Sequence, residues 1–430
     1  MSSIFMHANQ WEQYLYTPTG AAALAMLYGE GASTQAGRYM AAVRGFTNAF
    51  GDTPFAFVSA PGRTELLGNH TDHQRGRVLA AAVSMDVLAA AAKNDAGRLR
   101  LLSQGYTILD ISLDSLLPSA AESNTTAALM RGVAAGIVQA GGAVGGMDLY
   151  VISSVPVGSG LSSSAAIEVL LGTAFNYLYN ENALSPIRIA QIGQYAENTF
   201  FGKPCGLMDQ MASSVGGVVS IDFADAANPL VTRIPYDLGA YTLFVVNAGG
   251  SHADLTQEYA DIPGEMCAVA QQLGRAVLGE VAPDAFFEAL PRLRQSVSDR
   301  AILRALHFFE ENQRVLQGES ALRCGDMPRY CGIMLSSGDS SFKQLQNIYP
   351  SGNIRERSVA LALSLAKRTL EGQGAWRVQG GGFAGTIQAL APLALAAPFC
   401  AQMRAVFGED SCPALRVRPV GGYALAPTQP

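Results

Sequence analysis

The chain has 430 residues, 49% hydrophobic and 15% charged, with a formal net charge of −6. That length predicts two domains around sizeable cores, and the acidic balance without a basic run argues against a nucleic-acid or anionic-membrane surface. The six Cys show no C-x-x-C and no paired spacing, which predicts free thiols in a reducing cytosol. MSSIFMHANQWEQ lacks the basic and apolar regions of a signal peptide, and no apolar stretch reaches spanning length.

Residues Asn9 to Phe50 read as two helices. Apolar residues recur at helical spacing in EQYLYTPTGAAALAMLYG and GRYMAAVRGFTNAFG, and the GEGAST cluster separates them. They form an added helical arm without recognisable chemistry. FAFVSA reads as a strand that Pro61-Gly62 breaks. In GRTELLGNHTDHQRGRVLAAAVSMDVLAAAA, the residues Arg63, Glu65, Asn69, His70, Asp72 and His73 crowd together between apolar segments. A polar surface turn is one reading. A functional cluster is the other, because unpaired charges among apolar segments are costly. LRLLSQ and TILDIS then read as strands and TAALMRGVAAGIVQA as a helix.

The hydrophobic run MDLYVIS leads into SSVPVGSGLSSSAAIE, Ser153–Glu168, and a helical pattern leads out. A helix start offers free backbone N–H groups and the positive end of the macrodipole. Gly158 and Gly160 let backbone approach a ligand, and Ser162, Ser163 and Ser164 fall where the helix begins. This is an anion cradle suited to phosphate; an ordinary loop with Ser caps fits the same residues. It is not a Walker loop, because no Lys lies between Asn94 and Lys203, and it lacks the G-x-S-x-G elbow. Downstream, Ser185-Pro186 starts the helix IRIAQIGQYAENTFFG. KPCGLMDQMASSVGG places Asp209 in a short apolar turn, where a helix cap is the plain reading. From about Leu238 a second domain is predicted, with a strand in YTLFVVNAGGSH and long helices after it. The tail reads strand, glycine loop (GGGFAG), strand, helix, then a strand in LRVRPVGGYAL. GGGFAG satisfies G-x-G-x-x-G, but the dinucleotide reading needs a helix next, and TIQALAP reads as strand.

PVGSGLSSSAA resembles the ATP loop of the GHMP sugar and metabolite kinases. APGRTELLGNHTDH resembles the galactokinase signature, with Gly62, Arg63, Leu66, Gly68, His70, Thr71 and Asp72 in register. CGLMDQ is similar to the galactokinase run that holds a catalytic Asp, and GGGFAG to the superfamily's third, glycine-loop motif. The resemblance implies a mixed α/β (α+β), two-domain GHMP kinase fold with the active site between the domains. The helical arm would span 1–50. An N-terminal domain with a left-over-right βαβ phosphate loop would span 51–237, and a ferredoxin-like C-terminal domain 238–430. It implies ATP-dependent phosphorylation of a monosaccharide at its anomeric hydroxyl, giving sugar 1-phosphate and ADP. By the same resemblance, Pro156, Gly158, Ser159, Gly160, Leu161, Ser162, Ser163 and Ser164, with Gly381 and Gly382, would hold ATP. Ser164 or Ser163, with Glu197, would hold Mg²⁺. Asp209 would accept or orient the proton of the attacking hydroxyl, and Arg63 would keep it ionised. Asn69, His70, Asp72, Gly206 and Tyr259 would bind the sugar.

The chain also departs from that family. Asn69 stands where galactokinases have Glu, Glu65 where they have Asn, and His73 where Tyr is usual. A neutral amide cannot reproduce a carboxylate acceptor, which opens a sugar other than galactose, such as a uronic acid. A non-catalytic sugar and ATP sensor on the same fold is a competing reading; Arg63, Glu197 and Asp209 argue for the enzyme. The run His70-Thr71-Asp72 argues against a non-sugar alcohol as substrate. The expected partners are a small sugar and ATP, with no nucleic acid or membrane, for a cytoplasmic monomer or weak homo-oligomer.

Overall fold

The computed structural model describes residues 4–156, 160–203, 205–250 and 255–425. The N-terminal arm contains three helices rather than two: α1 (Ala8–Tyr14), α2 (Pro18–Tyr28) and α3 (Ala32–Phe50). Pro18 divides the first predicted helix and opens α2, because it lacks the N–H that a helix interior uses and is best accommodated in a first turn. Thr17 caps α2 by accepting from Gly20 N at 3.1 Å. Trp11, Tyr39 and Phe46 of the arm are fully buried against Phe55 and Phe57, and Trp11 Nε1 donates to Phe55 O at 2.9 Å.

Next come the long strands β1 (Ala56–Leu67) and β2 (Arg77–Lys93). Pro61-Gly62 does not end β1. The register against β2 shifts between Pro61 and Arg63, so the pair makes a bulge that re-aims the strand. The order then runs β3 (Arg98–Ser103), β4 (Leu109–Ser112), α4 (Thr126–Gln139), β5 (Met147–Ser153), α5 (Ser163–Tyr179), α6 (Pro186–Ala196), α7 (Met208–Val215), β6 (Val218–Asp222) and β7 (Leu230–Ile234). β5 pairs with one end of β2 and β6 with the other. The helices α5, α6 and α7 span the gap between them in sequence. β2 is apolar at both parities because both faces are covered. Leu88 and Ala90 face the arm, while Ala89 and Ala91 join the core with α4, α5 and α6.

The chain continues through β8 (Tyr241–Gly249), α8 (Thr256–Gln272), α9 (Pro283–Leu293), α10 (Asp299–Arg323), α11 (Met327–Ser340), α12 (Ser358–Leu370), β9 (Ala375–Val378), β10 (Gly385–Pro392), α13 (Leu393–Phe407), β11 (Ala414–Leu415) and β12 (Tyr423–Leu425). The order β11-β8-β10-β9 makes a second, antiparallel sheet. α12 and α13 bury Val359, Ala362, Ala366, Phe399 and Met403 against it. The predicted strand LRVRPVGGYAL is split between the sheets. β11 stays in the second, whereas β12 crosses back to pair with β1, Phe57 opposite Leu425. Among the described residues no helix is long and apolar enough to cross a membrane.

Asp86 pins these parts together. It lies on β2 and is fully buried. Arg38 of α3 pairs with it at 2.6 Å and Arg418 of the crossing segment at 2.9 Å. Tyr28 of α2 donates to the same carboxylate at 2.7 Å. The Asp86 backbone exchanges bonds with Ser154, just where β5 gives way to the Gly/Ser loop. Burial pushes the Asp86 carboxyl up, and the two guanidinium groups more than offset it, leaving it below its ordinary value. Removing this anion leaves the buried Arg418 and the partly buried Arg38 without their counter-charge. We therefore expect Asp86→Ala to cost about 3–5 kcal/mol, read as a lower urea midpoint; a change under about 1 kcal/mol would show that the pin is dispensable.

Candidate active site

The bulge in β1 delivers Arg63 to the start of α5. Its backbone N–H donates to Leu161 O at 3.0 Å, and its guanidinium also donates to Gly160 O. Gly160 has φ +69°, and a Cβ there would sit 2.4 Å from Thr386 Oγ1 on β10, so only glycine fits. Leu161 is buried. Ser162, with φ +59°, precedes the helix, and Ser163 and Ser164 open it. Pro156 is exposed at the other edge of the loop. Gly158 and Ser159 lie outside the described residues.

Arg63 grips Asp209 in a two-pronged ion pair, Nε to Oδ1 at 2.8 Å and Nη2 to Oδ2 at 2.7 Å. Ser162 donates to the same carboxylate. Asp209 sits in the first turn of α7, where the helix dipole favours a negative charge. Burial alone would raise its carboxyl, but Arg63 and the Ser162 bond more than reverse that and hold it below its ordinary value. The result is a carboxylate ionised at neutral pH beside a fixed cation and a helix N-terminus.

Behind this pair lies a group of acids. Glu197 begins one π-helical turn after α6 and is nearly buried. Ser164 Oγ donates to Glu197 at 3.3 Å. Gln210 Nε2 bridges Glu197 and Glu168, 2.9 Å to each, and Lys203 Nζ lies 3.5 Å from Glu197. Burial first, then the charge of Glu197, pushes the Glu168 carboxyl well up. Glu168, Gln210 and Lys203 escape sequence reasoning, although Gln210 directly follows Asp209 in CGLMDQ and Glu168 lies one helical turn beyond Ser164.

The polar cluster after β1 forms a tight loop, with Thr71 Oγ1 bonded to Gly68 O at 2.9 Å and Arg77 O at 2.6 Å and His70 at φ +56°. Asp72 abuts Gly206, where a Cβ would lie 1.9 Å from Asp72 Oδ2. Burial, and then the Asp209 charge, push the Asp72 carboxyl up to about 6, against a bond from His73 N that pulls the other way. Asn69 behaves differently from its expected role. It is 1% exposed, and its amide is used by protein partners: Nδ2 donates to Gly380 O at 2.7 Å and to Glu65 at 3.1 Å, while Oδ1 accepts from Asn347 at 2.8 Å. His70 Nε2 lies 3.0 Å from Gly381 O. Burial lowers the pKa of this ring, and a carbonyl can only accept, so the proton sits on Nε2. Tyr259 donates to Gly382 O at 3.0 Å. Three side chains expected at the sugar thus end on three successive carbonyls of the glycine loop. Arg377, Asn347 and Glu65 complete this region, with Arg377 and Glu65 paired at 2.7 Å and both buried.

Residues 44–93 match the galactokinase galactose-binding signature, and residues 127–217 match the GHMP kinases N terminal domain. The galactokinase of Actinobacillus pleuropneumoniae serotype 5b (strain L20) is 32% identical over 352 residues, covering 82% of this chain and 89% of the relative. This chain belongs to the galactokinase family. The galactokinase of A. pleuropneumoniae serotype 3 (strain JL03) matches to the same extent. The galactokinase from Lactococcus lactis, crystallised with galactose, superposes with a TM-score of 0.77 at 22% identity, over 88% of this chain and 98% of that one. Methanococcus jannaschii mevalonate kinase gives 0.60 at 14% identity, over 84% and 98%. These structures show the shared mixed α/β GHMP kinase fold. As a member of this family the chain is an ATP-dependent sugar kinase.

Two aspartates are expected to set the acid limb of this galactokinase relative. An ionised carboxylate accepts a hydroxyl proton and a protonated one does so poorly. Asp72 gains its proton as pH drops through about 6, while Asp209 keeps its charge to lower pH. We expect kcat/KM for the sugar to fall below about pH 6, and Asp72→Asn to lower the plateau and flatten that limb. Free-enzyme pH profiles of kcat/KM report this group; an unchanged limb in the variant would assign it elsewhere.

Proposed function

We propose that this chain transfers the γ-phosphoryl group of ATP to the anomeric hydroxyl of galactose, giving galactose 1-phosphate and ADP. The observation that carries this is the Arg63–Asp209 pair, set between the start of α5 and the 68–72 loop. A sugar hydroxyl placed beside Asp209 meets an ionised acceptor that orients it and takes its proton. Arg63 offsets charge as the phosphoryl group moves, a task of positioning and neutralisation rather than covalent chemistry. The Gly160–Ser164 segment with the α5 N–H groups faces the phosphates, and Asp72, His70 and the Gly206 backbone line the sugar side.

Ser164 and Glu197 fit a magnesium ion. They present a hydroxyl and a carboxylate, the oxygen donors this ion prefers, and the buried Oε1 of neighbouring Glu168 has no hydrogen-bond partner among the described residues. When bound, the ion supplies charge neutralisation on the phosphates.

An acidic sugar is disfavoured. Asp72 and Asp209 border the cleft, and Arg63, Arg377 and Arg304 each already face a carboxylate. This supports galactose over a uronic acid. We place the enzyme in the cytoplasm, in keeping with its six free thiols, as a monomer or weak homo-oligomer whose partners are the sugar and ATP rather than nucleic acid or membrane.

ADP release measured across galactose, glucose, galactosamine and galacturonate is expected to favour galactose. Asp209→Asn is expected to lose about 10²–10⁴-fold in turnover while calorimetry still shows ATP binding. Near-normal turnover in that variant would remove Asp209 from the reaction, and a preference for galacturonate would overturn the substrate.

A further inference from the structure

Gly380, Gly381 and Gly382 form the turn between β9 and β10, and Thr386, just beyond it, packs on Gly160 of the Gly/Ser loop. The strand that the turn leads into therefore touches the Gly/Ser loop assigned to the nucleotide. From the other side the turn is held by Asn69 and His70, which sit in the sugar loop. We infer that Asn69 is a positioning residue that couples the two ligands: through its amide, the state of the sugar loop sets the state of the glycine turn, so galactose and ATP strengthen each other's binding. The inference rests on the assignment of residues 68–72 to the sugar.

The chemistry at position 69 is narrow. Two of its three partners, Gly380 O and the Glu65 carboxylate, can only accept. The third, Asn347 Nδ2, donates. Only a side chain with both a donor and an acceptor at its tip satisfies all three, which among residues of this length means Asn. A carboxylate there would satisfy Asn347 alone and face two acceptors.

The sugar loop itself is held firmly enough for this contact to transmit force. Glu311 of α10 accepts from Gly68 N at 2.9 Å. His307, one turn earlier on α10, lies with Nε2 2.9 Å from Asn69 O; its ring is kept neutral by burial, with a pKa near 4. The backbone on either side of the Asn69 side chain is thus fixed to a long helix, and the amide is the contact that joins it to the glycine turn. The chain's departure from its family also gains a reason. Residues 65 and 69 bond each other, so exchanging Asn and Glu between them keeps one amide–carboxylate contact. It moves the charge to position 65, where Arg377 balances it, and leaves at 69 a donor for Gly380 O.

Coupling of this kind is reciprocal, so one cycle measures it. The galactose Kd is determined by calorimetry with and without a non-hydrolysable ATP analogue and Mg²⁺. In the wild type the analogue is expected to tighten galactose about three- to tenfold, the worth of one net hydrogen bond. Asn69→Asp, nearly isosteric but unable to donate, is expected to bring that ratio to within about twofold of unity. Since this variant sets two carboxylates side by side, Glu65→Gln/Asn69→Asp restores a single charge and an internal amide–carboxylate bond while still leaving Gly380 O without its donor. It too is expected to lose the coupling, with a thermal midpoint above that of Asn69→Asp alone. A merely structural role would shift both Kd values together and leave their ratio alone, and a ratio preserved in the double variant overturns the inference. Asp72→Asn separates the two layers of the argument. If it weakens galactose while the Asn69 variants keep the coupling, the sugar site stands and the link fails; if it leaves galactose binding unchanged, the sugar-site assignment fails and the inference with it.

Discussion

The site depends on one contact, the ion pair between Arg63 and Asp209, which are 146 residues apart in sequence. A carboxylate this enclosed would ordinarily favour its protonated form. Here a guanidinium with matching planar geometry keeps it charged. That requirement fixes the surrounding parts. β1 must bulge to present Arg63, α7 must start where its dipole meets Asp209, and the Gly/Ser loop must bend through Gly160, whose carbonyl accepts from Arg63. Move any of the three and the charge that the chemistry uses is no longer held.

The same device recurs without chemistry. Asp86 with Arg38 and Arg418, Glu65 with Arg377, and Glu311 with Arg314 are ion pairs in which every acid is buried. Such pairs recover little more than the hydration they lose. What they give this protein is a defined arrangement, because each joins segments distant in sequence: the arm to β2 to the crossing segment, β1 to β9. Even the i,i+3 pair within α10 serves a remote end, since Glu311 also takes the N–H of Gly68.

How much of this was legible in the sequence follows from how local each signal is. The Gly/Ser loop, the 62–72 cluster, CGLMDQ and GGGFAG are contiguous, so their residue types and order speak directly. Pro18 marks a helix boundary, yet the apolar rhythm runs unbroken across it. Pro61-Gly62 looked like a strand end because a bulge and a stop use the same residues. The partners Arg377, Asn347 and Glu311 carry no local signal, being ordinary polar residues until the fold sets them beside residues 65–69. Asn69 shows the limit most clearly. Its identity could be compared with a family pattern, but its role depends on three partners, two of them about 280 residues or more away.

The pairing of β12 with β1 has a consequence for biosynthesis. Phe57 emerges from the ribosome long before Leu425, its opposite number. At roughly 5–20 residues per second the interval is on the order of 20–75 s. Throughout it, the outer edge of β1 offers unpaired backbone groups to any passing strand, and Asp86 lacks Arg418. A nascent chain in that condition is a natural client for a chaperone that shields open sheet edges, and premature termination anywhere in the second half would leave the edge permanently bare.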